Sequence, residues 1–102
     1  MVVKPKLWRD IFQRDKGYCK YCDYDLLSSF SAYWSATVDH IKHRSDNGQD
    51  TKDNLVLACS PCNGMLSRAN KLTTIEERRA FVQKRREEEK HGYLEWCDEL
   101  RT

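Results

Sequence analysis

Apolar positions along the chain change their spacing several times, and each change marks an element. Behind Pro5, which suits the first turn of a helix, Leu7, Trp8, Ile11 and Phe12 recur at helical intervals until Gly17, a natural stop. Residues 26–35 (LLSSFSAYWS) are aromatic and broken by serines, and read as a loop leading into a strand. ATVDHI (36–41) and NLVLAC (54–59) favour two short strands. The stretch between them, KHRSDNGQDTKDN, is polar and holds the Asn47-Gly48 turn signal, so a loop is expected.

A helix then starts at Pro61 and carries Cys62, Asn63, Leu66 and Ala69. Thr74 with Glu77 predicts a capping box for the helix TIEERRAFVQKRREEEK. Lys84 with Glu88 and Arg85 with Glu89 stand four apart there, which reads as a solvated face rather than a DNA-binding stripe. His91 marks a junction, and a final helix places Tyr93, Trp96, Cys97 and Leu100 on one face for core packing. The elements together predict a small α+β fold.

The chain has 102 residues, which fits one domain over 1–102, with a helical extension at 73–101. Only 39% of residues are hydrophobic and 33% are charged, so the core is modest and a covalent or metal staple is expected. No apolar run approaches the ~18 residues of a membrane span. The start, MVVKPKLWRD, lacks the apolar stretch of a signal peptide, so a cytoplasmic protein with no membrane association is the expectation. The net charge of +2 is too small to diagnose a partner. Residues 1–72 hold 11 Lys/Arg against 8 Asp/Glu, and residues 73–102 hold 7 against 8, so the mild excess lies in the first part.

Four of the five cysteines form two CxxC pairs, YCKYC (Cys19, Cys22) and ACSPC (Cys59, Cys62). Two thiolates on one tight turn grip a single ion, and two such knuckles complete a tetrahedral structural zinc site. A disulfide framework would need a secreted context, and a redox CxxC would not explain two copies. The 36 residues between Cys22 and Cys59 are therefore a long loop closed by zinc. Cys97 stands apart and reads as a small buried hydrophobe.

Inside that loop the order is strand, polar loop, strand, helix. Asp39 and His40 end the first strand, and Asn63 directly follows the last zinc cysteine. The staple thus brings an oxygen donor, an imidazole and an amide oxygen towards one point. Strand neighbours face opposite ways, so Asp39 and His40 share a site only if the strand ends or twists there.

The run VDHIKHRSDNGQDTKDNLVLACSPCNG, with YCKYC upstream, resembles the HNH endonucleases, the ββα-metal nuclease family, over about residues 19–70. The resemblance implies a hairpin-plus-helix core acting on DNA with one catalytic cation, usually magnesium. It makes His40 the general base, Asp39 and Asn63 the cation ligands, and Asn54 the residue that steadies the loop. It further implies 5′-phosphate and 3′-hydroxyl products. The chemistry is consistent: an imidazole takes a proton near neutral pH, hard oxygens suit magnesium, and soft thiolates select zinc.

The chain departs from the family pattern at four places. His43 stands where proline is common, Gln49 where a second glycine is, Asp23 where glycine is, and Leu66 and Arg68 lie where a lysine is usual. Lys42, His43, Arg44, Lys52 and Arg68 flank the site as candidate phosphate contacts, with a surface loop position the plainer reading for His43. One site cuts one strand, so double-strand cutting implies a homodimer or successive events. A larger DNA-processing complex, in a phage or mobile-element setting, is a further arrangement the family admits. The rival reading is a non-catalytic zinc module that binds nucleic acid or protein.

Overall fold

The computed structural model describes residues 4–69 and 71–101; residues 1–3, 70 and 102, included in the sequence-based domain of 1–102, lie outside that description. Pro5 opens helix α1 (Pro5–Arg14), whose inward face carries Ile11, fully buried, with Leu7, Trp8 and Phe12 packed beside it. Asp15 and Arg14 end α1 and fasten it to the sheet. Asp15 Oδ2 accepts from the Leu57 amide at 2.8 Å, and Arg14 donates to the Lys52 and Leu55 carbonyls at 2.6 Å each. Gly17 follows in the left-handed region (φ 77°), where a side chain would be strained.

Strands β1 (Ala36–His40) and β2 (Leu55–Cys59) pair antiparallel from Ala36 opposite Cys59 to His40 opposite Leu55. Every residue of β2 is buried, because helices and the first cysteine knuckle cover it. Lys20 of that knuckle donates its amide to Leu57 O at 2.8 Å, so the free edge of β2 is partly occupied. Helix α3 (Ser60–Leu66) follows β2 without a break and completes a ββα unit. The result is the expected small α+β fold, its hairpin and helix joined by a cysteine cluster that fits a zinc staple.

Four local expectations need correction. Residues 26–35 contain a short helix, α2 (Phe30–Trp34), because Ser29 caps it by accepting from the Ala32 amide at 3.0 Å. Helix α3 stops at Leu66, and buried Ala69 lies past its end. The expected break at His91 is absent: α4 (Ile75–Leu100) runs as one helix of 26 residues, with open space around Gly92. Tyr93, Trp96 and Leu100 are exposed rather than packed in the core, and Cys97 is only half-buried. The capping box at Thr74 and Glu77 forms as predicted. Among the described residues Arg85, rather than Lys84, pairs with Glu88 (3.7 Å), and it pairs with Glu89 as expected (3.2 Å). No described helix is long and apolar enough to cross a membrane.

Candidate metal centre and active site

The four sulfurs of Cys19, Cys22, Cys59 and Cys62 lie within 4.8 Å of one another, and those of Cys22 and Cys59 are 3.8 Å apart. A tetrahedral zinc with bonds of about 2.3 Å needs sulfurs about 3.8 Å apart, so the cluster fits that ion. Its electrostatics agree. Hydrogen bonds from Cys22, Cys59 and Cys62 pull the Cys19 thiol down, while Cys19 and then Cys22 push Cys62 up. Against the upward push of Cys19, Cys59 and Cys62 pull the Cys22 thiol down, to about 7, while Cys19 and then Cys22 push Cys59 up. Two thiolates thus form readily and two resist, a conflict that a divalent cation removes. The first knuckle is tightened by the Cys19 amide donating to Tyr24 O at 2.9 Å. Asp23, standing where the family has glycine, takes the left-handed conformation itself (φ 64°). Arg79 holds its carboxylate at 2.8 and 3.0 Å, which keeps that carboxyl below its ordinary range.

The second site is built along β1, towards the loop end of the hairpin. A hollow of about 310 Å³ is lined by Asp39, His40, His43, Arg44, Asn63 and Ser67, among others. Asn63 reaches it from the first turns of α3. Its amide nitrogen donates to Thr37 Oγ1 and Val38 O, both at 3.2 Å, and its oxygen makes no hydrogen bond among the described residues. Asp39 is buried, and its Oδ2 accepts from Tyr21 Oη at 2.5 Å and Arg78 Nη2 at 2.6 Å. Its Oδ1 makes no hydrogen bond among the described residues. Two hard oxygens are therefore available at one hollow, which fits a small divalent cation. Asp39 and His40 keep regular strand pairing, and Asp39 points the harder way inward, yet both residues border the hollow.

His40 is oriented by a residue the sequence did not single out. Its Nε2 lies 2.7 Å from Asp50 Oδ1, and Arg44 binds the same carboxylate at 2.6 Å. Arg44 and then His40 hold the Asp50 carboxyl below its ordinary range, so it is an anionic acceptor for the imidazole N–H. The loop that presents Asp50 is closed by Asn54. The Asn54 side chain accepts from the Lys42 amide at 2.7 Å and donates to the carbonyls of Lys42 and Gln49, each at 3.0 Å. Gly48 is required by crowding, since a Cβ there would stand 1.8 Å from the Lys42 oxygen.

The candidate phosphate contacts separate in space. His43 and Arg44 border the hollow of His40, while Lys42 borders an adjoining one. Lys52 faces α1, where it pairs with Asp10 at 3.4 Å, and Arg68 lines a different hollow with Lys84 and Arg85 of α4. Arg78, buried in the first turns of α4, is the other residue that sequence reasoning missed, because it lies in a charge run that looks solvated.

No curated protein matches the chain. Residues 19–68 match the family model described as HNH endonuclease, a span that holds both knuckles, the hairpin and α3. Residues 19–68 thus carry the HNH endonuclease family's pattern, with four cysteines set for a zinc ion.

Proposed function

We propose that the chain, acting as one nuclease domain, hydrolyses DNA phosphodiester bonds with His40 as general base and a divalent cation on Asp39 and Asn63. The carrying observation is that these three residues border one hollow, with an unbonded oxygen on each of the two proposed ligands. Magnesium or a related cation, when bound, would polarise a phosphoryl oxygen and stabilise the departing 3′ oxygen. The protein's own residues supply the rest. Asp50 takes the hydrogen bond from Nε2, which fixes the tautomer and leaves Nδ1 to accept a proton from water. Arg44 and His43 stand beside the hollow to meet a phosphate, and Asn54 keeps the loop carrying them closed. One site nicks one strand, and a homodimer or two events would cut both.

One observation favours the rival, a zinc module without catalysis: the Asp39 charge is already matched by Arg78. Plasmid nicking with magnesium, manganese or nickel separates the two. The parent protein should nick, and His40→Ala should lose ~10²–10⁴-fold in rate while keeping zinc and fold. A His40→Ala protein as active as the parent removes His40 from the reaction. A parent inert with every cation leaves the binding module.

A further inference from the structure

We propose that Tyr21 and Arg78 are positioning residues for the cation site: they hold Asp39 by Oδ2 alone and so present Oδ1 as a single, fixed ligand. The inference rests on the nuclease reading above, and one of the two residues, Arg78, lies outside the matched segment.

Both donors converge on one carboxylate oxygen, Tyr21 Oη at 2.5 Å and Arg78 Nη2 at 2.6 Å. The guanidinium has no freedom to swing away. Its Nε donates to Tyr21 Oη at 3.0 Å, and Nη1 donates to the carbonyls of Leu72 at 2.9 Å and Ile41 at 3.2 Å. Its side chain is 1% exposed and that of Asp39 is 4% exposed. The Tyr21 side chain is itself fully buried, its hydroxyl donating to Asp39 and accepting from Arg78. A buried ion pair is a poor stabiliser compared with apolar residues of the same volume, so stability alone is a weak reason for this one. Placement of a carboxylate beside a cation site is a better one, because outer partners fix the orientation of inner ligands.

The brace also spans the molecule. Tyr21 lies between the two cysteines of the first knuckle, Asp39 is on β1, and Arg78 is on α4. A carboxylate pinned at Oδ2 can neither rotate nor chelate with both oxygens, so the zinc cluster and α4 together set where the second cation sits. Two effects compete at Arg78: its charge repels a divalent cation, whereas its fork aims the ligand. Tyr21→Phe removes a donor without changing charge, and Arg78→Lys keeps the charge but loses the fork.

The test is manganese binding to zinc-loaded protein, read by electron paramagnetic resonance of free manganese and by calorimetry. Zinc content and thermal melting are measured on the same samples. Tyr21→Phe and Arg78→Lys are expected to weaken manganese about 10- to 100-fold with zinc retained. Excess manganese should restore most of the nicking rate, since the defect lies in ligand placement and not in the folded fraction. Should Arg78→Lys fail to fold, Tyr21→Phe decides alone. Unchanged or tighter binding in folded Tyr21→Phe overturns the brace while leaving the nuclease reading intact. A parent that binds no manganese, or an Asp39→Asn protein that binds it as the parent does, overturns both.

Discussion

Asp50 stands ten residues beyond His40 in a loop rich in acids, yet among the described acids it alone reaches the imidazole. Asp46 and Asp53 are equally acidic in the sequence, so only the turn closed by Asn54 and Gly48 picks out the partner. Asp50→Ala should slow cleavage by at least ~10-fold, though less than loss of the base itself. The same change frees Arg44 from its 2.6 Å ion pair, so the KM for DNA should hold or fall while kcat drops. A parallel rise in KM would point to a lost DNA contact instead. Because the folded Asp50 carboxyl is depressed, its pairing is complete above the unfolded value and is lost only as pH falls through the lowered folded one. The pairing therefore persists throughout the neutral range. That Asp39, His40 and Asn63 would border one hollow, and that Asn54 would tie the loop, was readable from spacing and family resemblance. Arg78 was not, since nothing in a run of alternating charges marks the one member that turns inward.

The hairpin and α3 were legible because strand propensity, the Asn47-Gly48 turn and Pro61 all point the same way. The short helix α2 was not, because five residues carry too little periodicity and its signal is the single cap at Ser29. Helix α4 misled for the opposite reason. Gly92 costs a helix about 1 kcal/mol, which strong helix formers on either side outweigh. Only Arg78 and Val82 are buried along its length, both in its first turns. At 1.5 Å per residue the helix is ~39 Å long, comparable with the 46 Å longest dimension of the molecule. Its far half thus stands off the core, and the aromatic residues there cover nothing among the described residues. Removing residues 91–102 should leave zinc content unchanged and the melting midpoint within ~4 °C of the parent, about the shift of 1 kcal/mol. A collapse of the melting transition would show that the distal turns carry the fold.

Across the whole molecule, the buried apolar set is small and three of its members are zinc-site cysteines, Cys19, Cys59 and Cys62. Structural zinc contributes on the order of 10 kcal/mol, comparable with the entire stability of a domain this size. Stripping the ion with a strong chelator, or Cys59→Ser, should abolish cooperative unfolding and lead to aggregation, followed by circular dichroism and light scattering. A soluble, cooperatively melting Cys59→Ser protein would show that the core suffices without the ion. The guanidinium at Oδ2 has its own consequence at this scale. A graft of residues 19–68 onto a foreign scaffold would carry the thiolates, the imidazole and both ligand oxygens, but Arg78 would stay behind. Such a chimera would inherit the motif whole and lose the proposed aim of its carboxylate, so the portable unit of this fold is longer than its signature.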